Sequence, residues 1–143
     1  MHLSNEVDYG LRAMIILASN PEELIPSKEI SARFRIPYNF LTLILPKLVK
    51  AQLVESVQGP KGGYRLKKPA NKISFLEVIT AIDGPIEFLN CNSDEGCDLQ
   101  NFCSMVNVWN KLRDSMTNEL SKVTLDQVTV KRNIIEEIKQ ITL

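Results

Sequence analysis

Histidine and tryptophan are almost missing from this chain of 143 residues, which contains one of each, and aromatic side chains make up only 6% of it. The sequence has no helical pair of histidines, no glycine-rich phosphate loop and no nucleophile with a histidine base, so the common enzyme patterns are lacking. It also has no apolar run long enough to span a bilayer, and its first ten residues contain no apolar signal core. We therefore expect a cytoplasmic protein that is neither an enzyme nor associated with a membrane.

Cysteine is scarce too, but its three occurrences are concentrated in one segment. Cys91, Cys97 and Cys103 are separated by five residues each within NCNSDEGCDLQNFC. This segment has no helix or strand periodicity, so it is predicted to be a surface loop. Thiolates bind iron–sulfur clusters or zinc, and an odd number of cysteines in the cytoplasm argues against a disulfide framework. The pattern therefore predicts metal or redox chemistry in this loop.

The formal net charge of zero conceals a division of the chain. Residues 1–72 contain 11 Lys and Arg against 6 Asp and Glu, whereas residues 73–143 contain 6 against 11. Such asymmetry indicates a front half that faces nucleic acid and a rear half with a different role.

Three helices are predicted in the front half. Apolar residues recur at helical spacing over residues 7–18, and Ser4 or Asn5 could cap this first helix. A second helix opens with Ser27 as its cap. A third begins with Pro37 at its first position and keeps the helical period through residue 51.

The third helix contains Pro46, which predicts a kink or a short break near residues 42–45. Two β-prone runs follow at residues 53–57 and 64–66 around the turn QGPKGG, and they predict a hairpin. Helices followed by a hairpin have the order of a winged helix-turn-helix. Seven Lys and Arg lie between residues 47 and 72 against the single acid Glu55. This excess of positive charge is suited to binding the phosphates of a nucleic acid.

The rear half is predicted to be helical. Residues 74–77 have the pattern of a capping box that opens a short helix, and a long helix is expected over about residues 101–122. A second capping box at residues 124–127 precedes a last helix. The long helix has a wider apolar stripe than the chain alone can cover, so we expect it to pair with its twin in a homodimer.

The predicted fold is therefore mainly α. It comprises a winged helix-turn-helix DNA-binding domain over residues 1–83, a cysteine-containing loop over 84–104, and a dimerisation helix with a C-terminal helix over 105–143.

Several segments together resemble the bacterial Rrf2 family of winged-helix regulators, of the IscR, NsrR and RirA type. They are LSNEVDYGLRAMIILA, IPYNFLTLILPKLVKAQLVESV, the wing GPKGGYRL, ISFLEVITAIDG, and the C-x5-C-x5-C pattern before the long helix. The resemblance covers nearly the whole chain. It implies a homodimeric transcription regulator, expected to be a repressor, that binds a palindromic operator in double-stranded DNA. It also implies sensing of iron, nitric oxide or redox state through an iron–sulfur cluster held by the three cysteines.

The resemblance leaves the fourth cluster ligand open. IscR-like members have a histidine three residues after the last cysteine, where this chain has Val106, and His2 lies at the terminus. NsrR-like members use a carboxylate from the first helix of the other subunit, and Asp8 stands at the matching position. We expect Asp8 of the partner subunit to be the ligand, and by likeness to NsrR a 4Fe–4S rather than a 2Fe–2S cluster. Three other acids are weaker candidates: Glu6, Asp94 and Asp98.

A ligand that crosses the dimer interface would connect the cysteine loop to the partner's first helix. Loss of the cluster would then change the separation of the recognition helices, and with it the affinity for DNA.

Seven residues are predicted to contact DNA. The start of the third helix should enter the major groove, where Asn pairs with adenine and the Thr methyl group meets thymine. The start of the second helix should meet phosphate, and the wing should lie on the minor groove or the backbone. The candidates are Tyr38, Asn39 and Thr42 on the third helix, Ser27 and Lys28 on the second, and Lys61 and Arg65 on the wing.

Other uses of the cysteines remain open. A zinc site is less favoured because structural zinc prefers closely spaced C-x2-C pairs, which the chain lacks. A thiol redox switch without metal would form a disulfide on oxidation. A pure interaction module would explain the long helix but not the wing.

Overall fold

The computed structural model describes residues 3–89, 96–130 and 132–141, without the side chains of residues 132, 133, 135 and 139. Within these ranges the helices are α1 (Asn5–Ser19), α2 (Ser27–Arg33), α3 (Tyr38–Lys50), α4 (Phe75–Asp83), α5 (Met105–Lys122) and α6 (Arg132–Ile141). The strands are β1 (Val54–Val57) and β2 (Gly63–Leu66), and short 3-10 helices lie at Ala70–Lys72 and Leu125–Val128. None of the helices in the described ranges is long and apolar enough to cross a membrane.

The first three helices begin at residues that set the backbone direction. Ser4 caps α1, because its Oγ accepts a hydrogen bond from the backbone N–H of Val7 at 3.1 Å. The predicted cap of α2 is wrong: Pro26 holds the N-cap position and Ser27 is the first helical residue, with no side-chain capping bond. Pro37 likewise precedes α3 instead of opening it. Both prolines hold the extended backbone conformation of an N-cap residue, and their carbonyls accept the first helical hydrogen bonds.

Helix α3 runs unbroken past Pro46, so the break expected near residues 42–45 does not occur. Proline lacks the N–H that would bond the carbonyl of Thr42. Both Pro46 and Thr42 are exposed, so water can reach this carbonyl. The opposite face of the helix enters the core through Leu41, Ile44, Leu45 and Leu48.

The turn between α2 and α3 is a Schellman motif. Arg35 adopts φ of 50°, and the N–H of Ile36 donates to the carbonyl of Ser31 at 3.0 Å. The hydroxyl of Ser31 also donates to the carbonyl of Ile36 at 2.6 Å. This turn joins α2 and α3 as a helix-turn-helix.

The wing is an antiparallel hairpin in which Val54 pairs with Leu66 and Val57 with Gly63. A further bridge ties it to the chain before α2, since Ile25 and Tyr64 exchange two backbone hydrogen bonds of 3.0 and 2.9 Å. This bridge was not predicted from the sequence. It anchors the wing against the helix-turn-helix.

Helix α1 lies at the centre of the core and packs against α3 and α4. At Gly10 the side chain of Ile82 from α4 packs directly on the α1 backbone, because a Cβ atom there would lie 2.1 Å from Cδ1 of Ile82. Large side chains from residues 14–73 fill the interior: Met14, Ile16, Leu17, Ile25, Ile30, Ile36, Leu41, Ile44, Leu48 and Ile73.

Helix α4 confirms the first predicted capping box. The hydroxyl of Ser74 accepts from the N–H of Glu77 at 3.2 Å, and the Glu77 carboxylate accepts from the N–H of Ser74 at 2.8 Å. The helix ends at Asp83, where Gly84 adopts φ of 81°.

The second predicted capping box is wrong, since Thr124 makes no side-chain capping bond to the 3-10 helix that follows it. Leu125 is fully buried and its N–H donates to the carbonyl of Ile73, while the N–H of Phe75 donates to the carbonyl of Val123. These long-range hydrogen bonds determine the backbone conformation on either side of Thr124. The last helix is confirmed as α6, and the carbonyl of Ile141 near its end accepts from the Arg35 guanidinium at 3.0 Å.

Candidate nucleic-acid interface and cysteine segment

The three predicted base-reading residues share the solvent-exposed side of α3. Tyr38, Asn39 and Thr42 are exposed, whereas Leu41 and Ile44 on the opposite side are fully buried. The core residues therefore fix the rotation of α3 and turn the predicted reading face outward.

The start of α2 lies beside the start of α3. The Ser27 hydroxyl is 3.4 Å from the phenol oxygen of Tyr38, and Lys28 is exposed next to it. The hydroxyl of Thr42 donates to the carbonyl of Asn39 at 2.7 Å, so its hydrogen is used within the helix. The five predicted residues of these two helices thus belong to one surface.

The wing presents its two predicted cations differently. Lys61 is exposed in the turn between β1 and β2. Arg65 is paired with Glu55, which stands directly opposite it in the hairpin. Contact between Arg65 and DNA would require this ion pair to be shared or exchanged.

Three of the seven cations of the basic run pair with carboxylates of the same chain: Lys47, Arg65 and Lys68. Lys47 binds Glu6 at 2.7 Å and the carbonyl of Ile82 at 3.3 Å, and it is therefore held against α1 and α4. Lys68 pairs with Glu77 at 2.8 Å, and Lys67 bonds Gln52. In the part of the chain that the structure describes, three cations of the run have no protein partner: Lys50, Lys61 and Lys72. The number of Lys and Arg in the run is therefore larger than the number of unpaired positive charges at the surface.

Arg33, which fixes α2, was not among the residues predicted from the sequence. Its side chain is 8% exposed and forms ion pairs with Glu29 at 2.6 Å and Glu23 at 3.0 Å. Burial by itself would lower the pKa of Arg33, but the hydrogen bonds that it donates to both carboxylates, together with their negative charges, outweigh burial and raise this pKa. The spacing of Glu29 and Arg33, four residues apart on one helix, is the signal that could have identified the pair.

The cysteine segment is exposed, as predicted, where it is described. Cys97 is exposed and Cys103 half-buried, and both are free thiols. A turn over residues 98–102 separates them, so α5 begins at Met105, four residues later than expected. Cys91 and Asp94 lie outside the described residues. Two reduced thiols on one exposed segment are a donor set that fits an iron–sulfur cluster or a zinc ion.

Asp8 lies in the first turn of α1 with its side chain 55% exposed. Arg12, one turn later, binds it at 2.7 Å, donates to the carbonyl of Phe34 at 3.4 Å, and lies over the Tyr9 ring. Among the described residues of one chain, no group of three or more His, Cys, Asp or Glu side chains could hold a metal ion.

The apolar stripe of α5 is only partly covered. One edge packs on the chain, where Trp109 lies 6.1 Å from the Phe88 ring between centroids. The rest is uncovered, with Met105 57%, Val108 55% and Leu112 45% exposed. We call these three residues the α5 stripe.

A family model described as an iron-dependent transcriptional regulator, Rrf2, matches residues 3–131. The HTH-type transcriptional regulator IscR of Pectobacterium carotovorum subsp. carotovorum is 34% identical over 137 residues, which cover 95% of this chain and 84% of that protein. IscR of Yersinia pestis is 33% identical with the same coverage. These relatives are named as regulators, not as enzymes, in agreement with the sequence analysis.

Solved structures agree in fold. CymR of B. subtilis, the global cysteine regulator, superposes with a TM-score of 0.71 at 27% identity over 88% of this chain and 94% of its own. IscR of T. potens gives the same TM-score at 25% identity over 100% and 92%. The oxidized form of CymR from Staphylococcus aureus gives 0.66 at 29% over 87% and 93%. The prediction of a mainly α winged helix-turn-helix is confirmed, and the chain belongs to the Rrf2 family of DNA-binding transcriptional regulators.

Proposed function

We propose that the chain is a homodimeric repressor that binds a palindromic operator and responds to iron, nitric oxide or redox state through an iron–sulfur cluster. The observation that carries the proposal is the position of free thiols on an exposed segment that leads directly into α5. In this division of labour, residues 1–83 bind DNA, residues 84–104 hold the cluster, and residues 105–143 form the dimer.

Cys91, Cys97 and Cys103 would hold the cluster through three thiolates. When bound, a cluster with one non-thiolate ligand supplies an iron that reacts with oxygen or nitric oxide, or is released when iron is scarce. Its nuclearity would be 4Fe–4S, with 2Fe–2S as the alternative.

Asp8 of the partner subunit is proposed as the remaining ligand. Its carboxylate is more than half exposed, and Arg12 binds only one of its two oxygens in the contacts described. The same guanidinium reaches the carbonyl of Phe34 at the end of α2. Asp8 is thus oriented by a residue that also touches the helix-turn-helix, which supports a link between this carboxylate and DNA binding.

The α5 stripe supports the homodimer. Uncovered apolar side chains along two turns of a helix favour association, because water leaves apolar surface when a second copy covers it. A two-fold dimer presents two recognition helices, which is the reason to propose a palindromic operator.

On DNA, Tyr38, Asn39 and Thr42 would face the major groove. Ser27 and Lys28 would lie on phosphates, and Lys61 with Arg65 on the wing would lie on the minor groove or backbone. Their shared exposed surface on α2 and α3, and the position of the wing beside it, support this assignment.

The first experiment is anaerobic purification followed by an absorption spectrum with counts of iron, sulfide and zinc. We expect a coloured protein with equal iron and sulfide, lost in Cys103→Ser. Asp8→Ala should make the cluster labile. Asp114→Ala is the matched control, since Asp114 is also an exposed helical carboxylate, 72% accessible and paired with a neighbouring arginine. A protein without iron after anaerobic reconstitution would contradict the cluster, and equal lability of the two Asp variants would contradict Asp8.

The second experiment compares the operator affinity of cluster-loaded and cluster-free protein. A hundredfold difference corresponds to about 2.7 kcal/mol of coupling between the two sites. Identical operator affinities of the two forms would contradict the sensing role of the cluster, but not the binding of DNA.

A thiol redox switch without metal is the second candidate, favoured by the free thiols and by the likeness to CymR, which has an oxidized form among its solved structures. In that case the purified protein would contain neither iron nor zinc. Mild oxidation would then form a disulfide that changes its mobility in a non-reducing gel and its affinity for DNA.

A further inference from the structure

Leu43 is an exposed leucine on the reading face of the recognition helix. Its side chain is 56% exposed, although its neighbours Ile44 and Leu45 are buried. Single exposed leucines are common on protein surfaces and need no explanation by themselves. Leu43, however, stands between Asn39 and Pro46 on the exposed side of α3, next to Thr42.

Cations are missing from the part of α3 that would enter the groove. Residues 38–45 contain no Lys or Arg, and the two lysines of the helix lie in its last turns. The ammonium of Lys47 is held by Glu6 and by the carbonyl of Ile82. Bidentate Arg or Lys is the commonest partner of guanine in the major groove, and the first two turns of α3 lack it.

The groups that remain suit adenine and thymine. The Asn39 side chain has the donor and acceptor that match N6 and N7 of adenine. The hydroxyl of Thr42 is bonded to the carbonyl of Asn39, so Thr42 offers its methyl group to an outside partner more readily than a hydroxyl hydrogen. Leu43 adds a purely apolar surface beside them. Thymine is the base whose major-groove edge carries a methyl group.

We propose that Leu43 determines sequence specificity by contacting a thymine C5-methyl group, and that α3 selects A·T base pairs at the centre of each half-site. This inference rests on DNA binding by the winged helix-turn-helix. It adds the class of base pair that is read and a reading residue outside the set found from the sequence.

The test begins with duplexes that the full-length protein selects from a random pool, using the cluster-loaded or cluster-free form, whichever binds. The selected half-sites should have A·T pairs where α3 contacts them. Thymines of the selected duplex are then replaced one at a time by deoxyuridine, which lacks only the methyl group. Loss of one buried methyl contact corresponds to about fourfold in affinity, and to about fifteenfold when both half-sites are changed.

The variant Leu43→Ala closes a thermodynamic cycle. It should bind the thymine duplex more weakly by a similar factor and should no longer distinguish thymine from deoxyuridine at the same position. Leu3→Ala is the matched control, because Leu3 is 59% exposed and lies before α1. Urea unfolding of Leu43→Ala should match the wild type, which separates a reading role from a folding role.

Two results overturn the inference while leaving DNA binding intact. One is the selection of G·C pairs under α3, and the other is a Leu43→Ala variant that still senses the methyl group. Failure of every form of the protein to bind any selected duplex would instead overturn the proposed function itself.

Discussion

Replacement of Gly63 by alanine tests whether the bridge between wing and helix-turn-helix holds the domain together. Gly63 adopts φ of 155°, and a Cβ atom there would lie 2.6 Å from the carbonyl carbon of Ile25 and 2.7 Å from its oxygen. These are backbone atoms of a fully buried residue, so they cannot move aside as a flexible side chain would. We expect Gly63→Ala to separate Ile25 from Tyr64.

The magnitude follows from what is lost. The bridge consists of two backbone hydrogen bonds of 3.0 and 2.9 Å, each contributing about 1 kcal/mol. The unfavourable backbone conformation adds about 1 kcal/mol. The total of about 3 kcal/mol is a large fraction of the stability of a small domain, which is about 5–15 kcal/mol.

Urea unfolding at one fixed protein concentration measures the effect, because the stability of a dimer depends on concentration. With a urea slope of about 2 kcal/mol per molar, the midpoint should fall by about 1.5 M. Gly59→Ala is the matched control in the same wing: Gly59 adopts φ of 114°, but a Cβ atom there would meet nothing within 4 Å. Gly59→Ala should lower the free energy of unfolding only by the cost of the unfavourable backbone conformation, about 1 kcal/mol.

The expected difference of about 2 kcal/mol between the two alanine variants is therefore the contribution of the bridge to stability. Equal costs for Gly59→Ala and Gly63→Ala would refute the reasoning, since the close approach to Ile25 would then carry no energy.

Three further predictions concern the ion pairs and the α5 stripe. Arg33→Met should lower the free energy of unfolding by about 2–3 kcal/mol in urea titrations. This is less than the usual cost of breaking a buried ion pair, because Glu23 and Glu29 are 42% and 39% exposed and can be rehydrated. A variant as stable as the wild type would contradict this. Burial would raise the pKa of Glu77, but its bonds to Lys68 and Ser74 lower this pKa overall, so the stabilising contribution of Glu77 is present above its usual pKa near 4.5 and is lost as pH falls through its pKa in the folded protein. The difference in the free energy of unfolding between wild type and Glu77→Gln should stay below about 1 kcal/mol, because the side chain is 41% exposed, and should disappear between pH 6 and pH 3. A difference that grows in acid would contradict the direction of the pKa shift. Leu112→Glu should give a monomer in light scattering. Asn107 is also exposed on α5 but lies off the stripe, so Asn107→Glu should leave the dimer intact. A dimeric Leu112→Glu variant would exclude the stripe from the interface.

The sequence alone predicted the elements whose signals are local. Apolar spacing located α1, α3 and α5, and the capping box at Ser74 was found because its two bonds join residues three positions apart. The glycines of the wing marked the hairpin for a similar reason. The candidate DNA-reading residues also followed from position along α3, since the buried residues of a helix determine which others face solvent.

Features that depend on contacts between distant residues were missed or misread. Thr124 has the residue pattern of a cap, but long-range backbone bonds from residues 73–75 set the geometry on either side of it. Pro46 predicted a kink or a short break, yet α3 has no break, because the core holds one face and solvent hydrates the other. The basic run was counted correctly, but the carboxylates that neutralise part of it come from elsewhere in the fold.

The sequence by itself therefore determined the order of elements, the family and the three cysteines, because these depend on residue identity and spacing of a few positions. Tertiary structure alone decided which charges are paired, how the wing is tied to Ile25, and that Leu43 remains exposed beside Thr42 on α3. The physical reason is that an ion pair, a bridge or an exposed side chain is a relation between parts of the chain that meet only after folding.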